Sequence, residues 1–261
     1  DPNNFENLEY YSRVFSTLRK NRKTSEEEAQ EKVKLPLNFA SMMVRLGHAD
    51  GTIGGAVATT SDTVAAALKV IGRANDTNTV SSFFLIILDK PHHIKNLTLI
   101  FSDCGLVIEP TVGQLAEIAK QSARSYERLV GGKPKVAMLS FSTRGSAKHS
   151  RVNLVKEATE MVKLQAPDLK IDGEIQFDAA FVSSVSKIKA KDSIIMGDAN
   201  VMIFPNLDAA NIGYKIAERI GGARAVGPIL QGLSKPANDL SRGCSVQDIY
   251  DLIAVTAVQV E

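Results

Sequence analysis

Between positions 235 and 248 the chain reads Lys-Pro-Ala-Asn-Asp-Leu-Ser-Arg-Gly-Cys-Ser-Val-Gln-Asp, and its last eight positions bring serine, arginine, cysteine and an acid close together. Ser241 can donate a hydrogen bond, Arg242 is a permanent planar cation, and Asp248 can accept a proton. Moving an acyl group past a phosphate calls for all three kinds of group. A plainer reading stands beside it. Ser245 and Asp248 have the spacing of a capping box, in which an acid in the first helical turn is favoured by the helix dipole. The same dipole holds the carboxylate ionised and makes it a weaker base, so a base at Asp248 needs partial desolvation to offset it. Arg242 could equally be a solvated loop cation. Cys244 has no histidine nearby in sequence to activate it as a nucleophile.

Three further stretches carry polar groups in suggestive patterns. Ser142, Thr143, Arg144 and Ser146 follow an apolar run and precede a helical one. Hydroxyls and a cation at the C-terminal end of a strand suit a phosphate, although an exposed polar turn has the same composition. The stretch 49–63 combines three glycines with Thr59, Thr60, Ser61 and Thr63 at a helix start. Backbone amides and hydroxyls can face an anion there, but glycine-rich loops before helices are common. Arg19 lies in a basic run that can also be read as a solvated helix end.

The elements that must position these groups follow from periodicity. Residues 5–20, 24–33, 37–46, 62–71, 206–221 and 245–258 have helical spacing, and 47–61 reads as a loop. Thr111 and Gln114 predict a capping box opening a helix to about residue 129. Val152, Val155, Thr159 and Val162 share one helical face, which stops near Pro167. Short apolar runs at 83–88, 98–101, 135–139, 171–176 and 201–204 predict buried strands. Helices alternating with such strands give an α/β architecture with mainly parallel sheets.

Composition narrows the function classes. With 261 residues there is material for one large domain or two modest ones, and 44% hydrophobic against 23% charged residues is ordinary for a globular protein. A net charge of +2, with both signs spread along the chain, leaves no nucleic-acid footprint. Cys104 and Cys244 are too few and too far apart for a disulfide framework, and the four histidines lack paired metal spacing. The apolar runs are too short to span a bilayer and no signal peptide is recognisable, which makes the cytoplasm the expected compartment.

The run 235–248, together with 133–147 and 199–219, resembles the phosphate acetyltransferases, which interconvert acetyl-CoA plus phosphate with acetyl phosphate plus CoA. The stretches 172–176 and 199–201 and the pair Gly227-Pro228 match as well. The resemblance implies two α/β domains, similar to the isocitrate and isopropylmalate dehydrogenase fold, with the second inserted into the first and the cleft between them as active site. On that basis residues 1–81 and 227–261 form one domain and 82–226 the other, with a strand-and-helix segment expected ahead of residue 1. It assigns Asp248 as the base, Arg242 to substrate binding and charge stabilisation, and Ser241 to the reacting carbonyl. It assigns Arg19, Thr60, Ser142, Thr143, Arg144, Ser146, Asn211, Tyr214, Lys215 and Cys244 to CoA or acetyl phosphate. It also implies a homodimer, no metal, and no cofactor apart from CoA as a substrate. Three positions depart from the family pattern: Gly54 where serine is usual, Ala65-Ala66 where arginine-proline is common, and Ala210 where a glycine precedes the asparagine. The arginine missing at Ala65 is a CoA contact in relatives, and Arg45, Lys69 or Arg73 could stand in for it. The other functions compatible with the pattern are an acetyl-CoA-sensing regulatory domain, a transferase for longer acyl chains, and a decarboxylating dehydrogenase. The last of these lacks its metal-binding acids.

Overall fold

The computed structural model describes residues 1–18 and 25–260. They fall into two compact units, Asp1–Thr77 with Leu233–Glu261, and Asn78–Gly232.

The first unit opens with a short 3-10 turn, Pro2–Asn4, and three helices: α1 (Leu8–Leu18), α2 (Glu26–Lys34) and α3 (Pro36–Leu46). The Ser25 hydroxyl caps α2, and α3 starts with a proline and stops at Gly47 in the left-handed conformation. The fully buried Tyr11, Phe15, Val33 and Met42 join these helices in one apolar cluster. Strand β1 (Thr52–Gly55) and α4 (Thr60–Val70) follow. Much later in the chain come β8 (Ala237–Leu240) and α10 (Val246–Val260), with β1 and β8 paired in parallel from Thr52↔Ala237 to Gly55↔Leu240.

The second unit holds β2 (Ser81–Leu88), β3 (Leu97–Ser102), α5 (Val112–Val130), β4 (Lys135–Leu139), α6 (Ser150–Gln165) and β5 (Lys170–Ile175). These are followed by α7 (Phe177–Phe181), α8 (Ser183–Lys189), β6 (Val201–Ile203), α9 (Leu207–Arg219) and β7 (Arg224–Gln231). The strands form one sheet in the order β5-β4-β6-β3-β2-β7. Pairs β5–β4, β4–β6 and β6–β3 are parallel, whereas β2 runs against both neighbours. The near-continuous burial of β2, β4 and β6 is what a sheet covered on both faces demands. The reciprocal capping box of Thr111 and Gln114 opens α5.

Several expectations need correction. The stretch 47–61 is not all loop, because β1 lies within it. The strands β7 and β8 and the short helices α7 and α8 were not foreseen. A boundary at 226/227 would cut β7, whose residues Arg224 to Gln231 pair with β2, so the second unit runs on to Gly232.

Candidate functional site

Strand β8 delivers the Ser241–Asp248 run into α10. The turn is built by the Ser241 carbonyl, which accepts from the Cys244 amide at 3.1 Å, and by Ser241 Oγ, which accepts from the Gly243 amide at 3.3 Å. The hydroxyl proton of Ser241 is thus left to donate elsewhere. Asp248 closes the capping box: its Oδ2 accepts from the Ser245 amide at 2.7 Å and the Ser245 hydroxyl at 2.9 Å, while its own amide donates back to Ser245 Oγ at 3.2 Å. Among the described residues nothing donates to Oδ1, so one oxygen caps and the other can take a proton. The cap and the base are compatible roles on one carboxylate. Arg242 is exposed and has no hydrogen bond or ion pair among the described residues. Cys244 is a free, half-buried thiol.

The glycine-rich stretch is joined to this run by the β1–β8 pair, with the Ala56 amide extending the ladder to the Leu240 carbonyl at 3.1 Å. Gly55 has φ +92°, and a Cβ there would lie 2.3 Å from the Leu240 carbonyl oxygen and 2.6 Å from Asp239 Oδ1. Only glycine lets the two strands approach so closely. Thr59 caps α4, and Thr60 Oγ1 donates to Asp239 Oδ2 at 2.5 Å. The sequence reading missed Asp239. Only its neighbourhood to Ser241 could have singled it out. Its carboxyl is fully buried and Oδ1 has no partner. Burial pushes its pKa up, opposed by the hydrogen bond from Thr60. Gly54 also has a steric reason: a Cβ would meet Leu37 and Thr63 side-chain carbons at 2.8 Å each. Around Ala65, Arg45 is committed to the Val70 carbonyl at 2.8 Å, while Lys69, one turn on, is exposed, as is Arg73. Arg19 lies outside the described residues.

In the second unit, the loop after β4 is satisfied by acids from β5 and from the segment after α8. Ser142 Oγ donates to Glu174 Oε1 at 3.0 Å, and the Gly145 amide donates to the same oxygen at 2.6 Å. Ser146 Oγ accepts from the Thr143 amide at 3.1 Å, and Thr143 Oγ1 accepts from the Gln176 amide at 2.9 Å. Arg144 grips both oxygens of buried Asp172 at 2.8 Å and reaches Asp192 at 3.1 Å. Burial works against its charge, but these two acids hold the guanidinium above its usual pKa.

Helix α9 carries the remaining candidates. Asn211 Nδ2 donates to the Cys104 carbonyl at 3.1 Å, and the Tyr214 ring stacks on Phe84 with centroids 4.1 Å apart. Burial raises the Tyr214 pKa. Lys215 is exposed, with Nζ 5.7 Å from the Tyr214 centroid. Cys104 is buried, and burial followed by the Asp103 charge pushes its thiol pKa well up, which makes it unreactive. The histidines have structural partners: His48 bonds Tyr11, His92 and His93 both reach the Gly221 carbonyl, and His149 caps α6. Among the described residues no three His, Cys, Asp or Glu side chains converge as metal ligands, and no helix is long and apolar enough to cross a membrane.

These elements define a two-unit α/β protein in which an arginine unpaired among the described residues and an acid with one open oxygen follow a glycine-pinned strand. The chain belongs to the phosphate acetyl/butaryl transferase family, whose model matches residues 1–257. It is 49% identical over 261 residues to a phosphate acetyltransferase of Acetivibrio thermocellus, covering 100% of this chain and 79% of that protein. A phosphotransacetylase structure from Streptococcus pyogenes superposes with a TM-score of 0.93 at 44% identity, over 99% of this chain and 77% of that one. A branched-chain phosphotransacylase from Enterococcus faecalis, at 24% identity and TM-score 0.72 over 86% of this chain and 79% of that one, shares the fold.

Proposed function

We propose that the protein is an acyltransferase that moves an acetyl group reversibly between CoA and phosphate, by direct attack in a ternary complex. The observation that carries this reading is the Ser241–Asp248 turn. It holds an uncommitted serine proton, an arginine unpaired among the described residues and a carboxylate with one open oxygen, in a chain that belongs to the phosphate acetyl/butaryl transferase family.

Asp248 Oδ1 removes the proton of the CoA thiol, whose pKa in water is about 8.5 or higher. The thiolate sulfur forms a bond to the carbonyl carbon of acetyl phosphate, and the electron pair of the C=O bond moves onto oxygen. Arg242 and the Ser241 hydroxyl stabilise that oxyanion. Collapse breaks the bond to the phosphate oxygen, and phosphate leaves. Positioning and charge supply the catalysis, and the chemistry requires no cofactor beyond the substrates.

Asn211, Tyr214, Lys215, Thr60, Cys244 and Arg19 are assigned to the substrates. Ser142, Thr143 and Ser146 shape the loop after β4, and Arg144 is its ion-paired clamp. We also assign the protein to the cytoplasm as a homodimer, in line with the resemblance. Coupled formation of acetyl-CoA from acetyl phosphate and CoA tests the activity, and a panel of acyl-CoAs assayed with phosphate tests chain length. Turnover of acetyl-CoA above the longer substrates is expected. CoA binding without any turnover would make the chain a sensing domain, and preference for a four-carbon acyl group would make it a butyryltransferase.

A further inference from the structure

Strand β8 is anchored on both sides by consecutive polar residues, both fully buried. Asn238 Nδ2 donates to Thr256 Oγ1 at 2.8 Å and to Gln259 Oε1 at 2.7 Å, both on α10. Asp239 points the other way, to the first turn of α4, where its Oδ2 takes the proton of Thr60. A buried acid is expensive to keep, so a strand needing only an anchor would be served as well by asparagine. What the acid provides is direction. A threonine hydroxyl has one proton and two lone pairs. With its proton given to a carboxylate at 2.5 Å, Thr60 Oγ1 has only lone pairs to offer to anything else that reaches it. Thr60 is itself only partly buried, so a ligand can reach it.

We propose that Asp239 is a positioning residue that fixes the Thr60 hydroxyl as a hydrogen-bond acceptor and thereby makes it read CoA rather than acetyl phosphate. CoA carries donors, namely a thiol and two amide N–H groups on its pantetheine arm. The phosphate end of acetyl phosphate is an acceptor near neutral pH. An oxygen that can only accept therefore discriminates between the two substrates. The inference rests on the assignment of Thr60 to the substrate site.

The experiment measures CoA affinity by calorimetry, and the KM for each substrate, in the wild type, Thr60→Val, Thr60→Ser, Asp239→Asn and the double variant Thr60→Val with Asp239→Asn. Melting curves for each report whether the fold is intact. Thr60→Val should weaken CoA by about tenfold, the scale of one lost hydrogen bond. Asp239→Asn should do the same, because the amide can donate to Thr60 as well as accept from it, so the fixed direction is lost. The double variant should be no worse than either single one, Thr60→Ser should keep wild-type affinity, and the KM for acetyl phosphate should stay within about twofold throughout.

Additive losses, an unchanged affinity for CoA, or a loss that falls on acetyl phosphate would each overturn the proposal. A drop in melting temperature with equal changes in both KM values would reduce Asp239 to a structural anchor and overturn it too. Should Asp239→Asn not fold, Asp239→Ser, whose hydroxyl can likewise both donate and accept, takes its place in the comparison. The activity reading fails separately, if the wild type forms no acetyl-CoA. Calorimetry still decides the role of Thr60 in that case.

Discussion

Two loops in this molecule are written in nearly the same letters and do opposite things. Ser241-Arg242-Gly243-Cys244-Ser245 follows β8, and Ser142-Thr143-Arg144-Gly145-Ser146 follows β4. In the second, Asp172 and Asp192 take the arginine, and Glu174 takes the serine hydroxyl and a glycine amide. In the first, the arginine is exposed and unpaired among the described residues, and the serine proton is free. A cation already satisfied by two carboxylates has little left for a substrate oxygen. One without a partner can meet charge that develops during reaction. Residue type names a capacity, and the neighbours decide whether it is already spent.

The sharpest way to break this comparison is at Asp248. Asp248→Asn keeps a side chain that caps well, so melting should be little changed. Turnover should fall by about a hundredfold to ten-thousandfold, the scale of a lost general base. Near wild-type turnover would leave Asp248 with its capping role alone.

Arg242 comes next. Arg242→Lys should be nearly as damaging as Arg242→Ala, with losses on the order of a hundredfold in kcat/KM, because lysine cannot reproduce a planar two-point grip. Recovery of most activity by lysine would mean a plain point charge suffices.

Arg144→Gln sharpens the contrast from the other side. It strands the buried Asp172, and because the guanidinium is 30% exposed the cost is discounted to about 1–3 kcal/mol of stability. Turnover at a temperature where the variant is folded should change by less than about tenfold, a far smaller effect than at Arg242. Equal damage at both arginines would erase the distinction.

The smallest effect expected is a pH dependence. Burial raises the Asp239 pKa in the folded protein, so the native state binds this proton more tightly than the unfolded chain. The stability tied to it is present in full below the ordinary carboxylate range and is lost as pH rises through the raised value. Asp239→Asn removes that loss. The melting temperature of the variant minus that of the wild type should therefore be more positive at pH 7 than at pH 4, by a few degrees. A difference that does not change with pH would place the carboxyl in an ordinary environment.

Much of the frame could be read before the structure. The strand at 135–139, the capping box of α5 and the amphipathic helices each announce themselves through local pattern. Strands β1 and β8 do not. Thr-Ile-Gly-Gly is short and half glycine, which weakens any strand signal, and Ala-Asn-Asp-Leu looks like a polar turn. Each becomes a strand only because the other lies beside it, and nothing local signals a partner so distant in sequence. The same limit hid the carboxylates that neutralise Arg144, since Asp172 and Asp192 sit far along the chain from the loop they silence. It hid Asp239 as well, an acid whose role depends on a threonine in another segment.

That distant pairing has a consequence for how the protein is made. As the chain leaves the ribosome, β2 through β7 can pair as soon as residue 231 is available, because β2 and β7 are neighbours in a sheet of their own. Strand β1 has been synthesised long before, yet its partner at 237–240 is not. The pairing with β8 therefore waits through the synthesis of the whole second unit, and domains completed early fold as units while others wait. Glycines hold a strand poorly by themselves, so Gly54 and Gly55 leave β1 dependent on a partner that is made last.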